Sequence, residues 1–183
     1  TERAARKARA GGVSAAAIYE AALQTYLFAG YPRGISGLAA VVRAVGPAAK
    51  PPSSGGPREW QARGLRLCRR IYEGATDRML ANMKALHPAI ATWIIQEGYG
   101  KVLSRPGLEA AVREACAVSS LAALAAWRQL ESHARGALRV GVPLADLRRA
   151  AGGTRQARRI VAEAAGEILP NPSRRRSLNR KPR

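Results

Sequence analysis

The 183-residue chain carries 31 Lys and Arg against 12 Asp and Glu, a formal net charge of +19, and is 47% hydrophobic but only 5% aromatic. That length suffices for one domain with a sizeable core, and the scarcity of aromatics leaves Ala, Leu, Val and Ile to build it, a composition that favours closely packed helices. No stretch approaches the roughly 20 uncharged apolar residues of a membrane span, and residues 1–10 carry basic side chains with no apolar run behind them, so neither a membrane anchor nor a secretory leader is expected.

Helical periodicity dominates and no strand run is convincing, which predicts an all-α fold. Ser14 caps a helix expected to run through Ile18, Leu23, Tyr26 and Leu27 towards Gly30. Pro32 breaks it, and a second helix runs from Gly34 to about Val45. Residues 46–57 hold four prolines and three glycines, which is linker chemistry. It separates an N-terminal hairpin (1–45), too small for a core of its own, from a helical body (58–168).

Within the body, 60–73 and 76–86 read as amphipathic helices, the second capped by Thr76 or Asp77. Pro88 suits the first position of the next helix, with His87 at its entry. Gly98, Gly100, Pro106 and Gly107 punctuate the chain beyond that helix. Residues 108–140 read as one helix ended by Gly141, and 146–168 as helix interrupted at Gly152 and Gly153. From 169 to 183 the chain reads as a disordered basic tail, with six Lys or Arg and no acid in residues 174–183.

Cys68 and Cys116 are far apart and lack metal-ligand spacing, so they read as small buried hydrophobes in a reducing, cytoplasmic setting. A shift of 129 residues lays Arg6 over Arg135, Gly12 over Gly141 and Val13 over Val142. In this repeat Ala4 stands where the second copy has His133.

Glu114 and His133 are the most informative pair, with Ala126 and Gln129 between them. The segment resembles the carboxymuconolactone decarboxylase family, which includes the AhpD-type alkylhydroperoxidases. Its peroxidase branch reads Glu-x11-Cys-x2-Cys-x3-His. Here the Glu and His stand at matching distances, while Ala126 and Gln129 replace both thiols. Leu23-Gln-Thr-Tyr-Leu-Phe-Ala-Gly-Tyr-Pro-Arg33 resembles the ending of the family's domain, yet it precedes the Glu–His segment, and the segment from His87 to Gly107 resembles longer members. The resemblance therefore implies an AhpD-like helical bundle with the family's two halves in swapped order, permuted or cut from a duplication, assembling into trimers or hexamers. Nineteen residues on one straight helix would separate Glu114 from His133 by roughly 28 Å. The resemblance, not the periodicity, places a chain reversal near Ala125 to Trp127.

It also implies a decarboxylase or related lyase that needs no cofactor and acts on a small carboxylated lactone or similar acid. His133 would be the general acid/base and Glu114 its orienting partner, since imidazole titrates near neutrality and a carboxylate fixes its tautomer. Spacing alone favours an ordinary helix histidine and a carboxylate answering a helix dipole, and it is the resemblance at both positions that turns the reading towards a functional pair. Arg135 and Arg33 are candidate binders of a substrate carboxylate, although surface solvation explains each. Gln129 lies one turn before His133 on the same face. Tyr26, Tyr31 and Tyr99 either shape a pocket or simply pack. No phosphate loop, dinucleotide fingerprint or zinc pattern occurs, and two histidines cannot build a metal constellation. Thiol peroxidase chemistry is not expected.

The competing readings are a non-catalytic helical scaffold whose basic tail engages nucleic acid or another polyanion, and a silent subunit that complements a paralogue. The basic excess outside the tail is spread through the helices, which disfavours a nucleic-acid groove. A homo-oligomer without a membrane partner is expected.

Overall fold

The computed structural model describes residues 1–49 and 55–169, and every regular element among them is a helix. In chain order these are α1 (Glu2–Ala10), α2 (Ala15–Leu23), α3 (Thr25–Val45), α4 (Pro57–Tyr72), a 3₁₀ turn (Glu73–Ala75), α5 (Thr76–Leu86) and α6 (Pro88–Trp93), which runs into a π-helical segment (Ile94–Leu103). Then come α7 (Ala110–Ala123), α8 (Trp127–Arg139), α9 (Leu144–Ala151) and α10 (Arg155–Ile168). No helix is long and apolar enough to cross a membrane among the described residues. The basic tail at 174–183 and the centre of the 46–57 linker lie outside them.

Ser14 caps α2 as its sequence requires, its Oγ accepting the Ala17 N–H at 3.1 Å. That helix ends at Leu23, earlier than periodicity suggested, and the chain re-enters helix at Thr25. The break in α3 falls at Gly30 (φ 77°, ψ 165°), not at Pro32. Only glycine takes that conformation without strain, whereas a proline two residues later serves comfortably as an early helical residue.

Gly98 and Gly100 do not punctuate the chain either; they lie inside the π-helical segment. A Cβ on Gly100 would sit 2.0 Å from the Trp60 carbonyl oxygen, and one on Gly64 would sit 2.1 Å from that of Ile95. These glycines let the backbones of α4 and the π-helical segment touch.

The reversal between α7 and α8 is made by Ala125, at φ 53°. The Ala126 N–H reaches back to the Leu121 carbonyl at 3.0 Å and that of Ala125 to Ala122 at 3.2 Å. This is the hydrogen bonding of a helix C-terminus closed by a left-handed residue, with alanine where glycine is usual.

The main core is aliphatic and alanine-rich, as composition predicts: Leu130, Ala134, Ala137, Leu147, Ala157, Val161 and Ala164 are fully buried among α8, α9 and α10. A second cluster joins Cys68 and Ile71 of α4 to Ile95 and Tyr99. The N-terminal hairpin is fastened to the body by a buried polar seam. Arg113 donates to Glu20 at 2.8 Å and to the Gln24 side chain at 3.3 Å, while Gln24 donates back to the Arg113 carbonyl at 3.0 Å. Arg105 also pairs with Glu20, at 2.9 Å.

The 129-residue repeat holds at the level of hydrogen bonds. Gly11, Gly12 and Val13 donate to Lys7, Arg9 and Ala8, and their counterparts Val140, Gly141 and Val142 donate to Gly136, Leu138 and Ala137. The Arg6–Glu2 ion pair recurs as Arg135–Glu131. Helix, left-handed glycine, short helix and long helix thus occur twice, as α1–α3 and as α8–α10.

Candidate functional site

The reversal at Ala125 folds α8 back along α7, so two residues far apart in a straight helix become neighbours. Nδ1 of His133 lies 2.9 Å from Oε2 of Glu114. Glu114 is 2% exposed at its side chain and His133 12%. Gly136, one turn after His133, makes room for the carboxylate: a Cβ there would stand 3.2 Å from Glu114 Oε2 and 2.5 Å from Ile71 Cγ2. Phe28 from α3 meets the imidazole edge to face, with ring centres 5.6 Å apart.

Burial pulls the imidazole pKa down, but the Glu114 charge and its hydrogen bond outweigh that effect, and the result lies above the ordinary value of 6.5. Nδ1 is occupied by Glu114. Nε2 forms no hydrogen bond with the described residues. No buried side-chain nitrogen or oxygen among those residues lacks a partner, so Nε2 is not fully buried. His133 also helps to line a cavity of about 760 Å³.

The cavity lies between the face of α8 and the α5–α6–π-helical wall, with Phe28, Met79, Met83 and Trp93 among its apolar lining. Its polar lining comes mostly from α8. Arg128, Ser132, Arg135 and Arg139 recur at helical spacing along one stripe, beside Gln129 and His133 on the next.

Of the residues singled out by sequence, the structure brings Glu114, His133, Gln129 and Arg135 to this place, the last three lining the cavity. Arg135 is already engaged, at 2.7 Å from Glu131 on its own helix and 2.7 Å from Glu167 of α10. Arg33 is exposed and is not among the lining residues. Tyr26 and Tyr31 stack on each other at 4.9 Å, and Tyr26 donates to Glu97, but neither lines the cavity. His87 caps α6, its Nδ1 accepting the Ala89 N–H at 3.1 Å. Ala126 is the N-cap of α8.

Sequence reasoning missed Arg78, Arg128 and Tyr72. Arg78 on α5 and Arg128 on α8 both line the cavity, are exposed, and form no ion pair with the described residues. For Arg128 the signal was its place on one helical stripe with Ser132, Arg135 and Arg139; nothing local marked Arg78 or Tyr72.

The thiols stand apart from this chemistry. Cys68 is fully buried, and burial first and the Glu114 charge second push its pKa up to about 12. Burial likewise raises Cys116. Neither is primed as a thiolate. No group of three or more His, Cys, Asp or Glu side chains able to hold a metal ion occurs among the described residues. Comparison with protein-family models, with curated proteins and with solved structures finds no match to this chain.

Proposed function

We propose that this protein is an acid–base catalyst that needs no cofactor, a decarboxylase or related lyase acting on a small carboxylated lactone or similar acid. The reading is supported above all by one observation, the His133–Glu114 pair at 2.9 Å with His133 on the wall of a cavity. With Glu114 ionised, Nδ1–H donates to it and Nε2 carries the proton that moves. In decarboxylation the bond to the carboxylate carbon breaks, carbon dioxide leaves, and the electron pair delocalises into an adjacent carbonyl as an enolate. His133 Nε2–H then protonates the carbon, and the neutral imidazole is left in the tautomer that Glu114 selects.

Four arginines against two glutamates line the cavity, which favours an anionic substrate. Arg135 and Arg139 have acidic partners in Glu131, Glu167 and Glu73, so Arg78 and Arg128 are the cations left to meet a substrate carboxylate. The raised thiol pKa values support a reaction without a cysteine nucleophile. No dithiol-dependent peroxide turnover is expected; turnover that vanishes in Cys116→Ser would contradict this.

The test is carbon dioxide release from a panel of carboxylated lactones and β-keto acids, run in heavy water to follow the incoming deuteron. Wild type should turn over at least one of them, and His133→Ala should lose roughly 10²- to 10⁴-fold in rate, the usual contribution of a positioned general acid. Equal turnover by His133→Ala would remove the histidine from the mechanism.

A further inference from the structure

Two buried phenols share the cavity with His133 and have no part in the proton transfer assigned to it. Tyr72 is the last residue of α4 and is 9% exposed; Tyr99 lies in the π-helical segment and is 5% exposed. Their hydroxyls are 2.5 Å apart, and their rings meet edge to face at 5.9 Å. Both line the cavity, and Ser132, which precedes His133 on α8, sits beside the Tyr72 hydroxyl. The backbone holds Tyr72 at a chain break: Glu73, immediately after it, takes a left-handed φ of 50°, which ends α4 at that point. Such a conformation costs a non-glycine residue free energy and is concentrated at functional sites.

Proton counting gives the pair a role. Two hydroxyls carry two protons, and the bond between them uses one. The other remains for an acceptor outside the pair, Ser132 at rest or an oxygen of a bound ligand. Burial raises both phenols above their ordinary value of 10, Tyr99 well above it, so each stays neutral and able to donate near pH 7. A neutral donor in a mostly apolar wall stabilises charge that develops on an oxygen, because it is already oriented when the charge appears.

We propose that the Tyr72–Tyr99 pair is the oxyanion donor of this cavity, with Tyr72 hydrogen-bonding the oxygen of an enolate or phenolate and Tyr99 as its positioning residue. The assignment rests on the acid–base reading of the site only for the reaction in which the enolate arises. Recognition of a planar oxyanion is a binding property and is read without turnover.

The probe is 4-nitrophenolate, whose ionised and neutral forms absorb differently, titrated into the 183-residue chain. Wild type should bind the ionised form, and Tyr72→Phe, which keeps the ring and removes only the hydroxyl, should weaken binding by roughly ten- to a hundredfold, the range for a hydrogen bond to a charged acceptor. Tyr99→Phe should weaken it by a smaller factor. It also keeps the proposal testable should Tyr72→Phe fold poorly. Unchanged affinity in both variants would overturn the assignment, as would loss confined to Arg78→Ala, Arg128→Ala or His133→Ala, which would place the anion on a cation. Binding that depends on Tyr72 in a protein that decarboxylates nothing would leave the donor in place and discard the lyase reading.

Discussion

His133 sits where burial disfavours a charged imidazole, yet its partner reverses the balance, and this makes the pH behaviour of the pair predictable. The folded-state pKa lies above 6.5 because Glu114 contributes both charge and a hydrogen bond. If the protonated ring is the acid, kcat/KM should be flat below that raised pKa and fall above it. Glu114→Gln removes the negative charge and leaves the burial, so the falling limb should move to lower pH, with the rate reduced about tenfold or more at neutral pH. A profile unmoved by Glu114→Gln would mean that another group carries the proton. Stability should respond to the same shift. A histidine whose pKa is raised on folding stabilises the fold fully below about pH 6.5 and loses that contribution as pH rises through the folded value. The pair was singled out in sequence by its likeness to a family's motif, whereas the Tyr72–Tyr99 contact was not. Their hydroxyls come from positions 27 residues apart and meet only through packing of α4 on the π-helical segment, which no local pattern encodes.

At the scale of elements, close approach decides more than propensity. Glycines at 64 and 100 allow the backbones of α4 and the π-helical segment to touch, so Gly64→Ala or Gly100→Ala pushes a methyl group into a carbonyl oxygen. Thermal or denaturant unfolding should show a loss of about 1–3 kcal/mol or more for each. Gly166, exposed in α10 with open space where a Cβ would stand, is the contrast. Gly166→Ala should stabilise by about 0.5–1 kcal/mol through helix propensity and a smaller unfolded ensemble. Stabilisation by all three substitutions would show that the helices do not cross this closely. The α7–α8 reversal illustrates a limit of periodicity. Nothing between Ser119 and Trp127 is Gly or Pro, so the apolar pattern reads straight through a break that Ala125 makes at a cost. The same limit explains Gly98 and Gly100, which resemble chain breakers in sequence but lie within a helical segment, where Gly100 serves packing.

At the scale of the molecule, the all-α architecture was legible from an alanine-rich, aromatic-poor composition, and the repeat from a handful of matched residues. The two copies diverge after their first two helices. In α10, Ile160, Val161 and Ala164 are buried, whereas α3, redirected at Gly30, leaves Tyr31 61%, Ile35 63% and Val42 45% exposed. Trp93 and Leu86 are also exposed, at 60% and 75%. Exposed apolar side chains that gather into one patch mark a partner surface. We propose closed homo-oligomers, trimers or a multiple of them, that cover this face of α3. Light scattering should give a mass that is a multiple of 19.5 kDa, and Ile35→Glu should shift it towards the monomer; a soluble wild-type monomer at micromolar concentration would contradict the proposal. The proposed activity nevertheless depends on the single contact that this architecture creates between α7 and α8. The chain has 2 histidines, so the signals of His87 and His133 in a nitrogen-15 histidine NMR titration can be assigned with one substitution. His133 should titrate above 6.5 in wild type, with its neutral form protonated at Nδ1, and well below the wild-type value in Glu114→Gln. An ordinary midpoint that Glu114→Gln leaves in place would contradict the acid–base pair at its root.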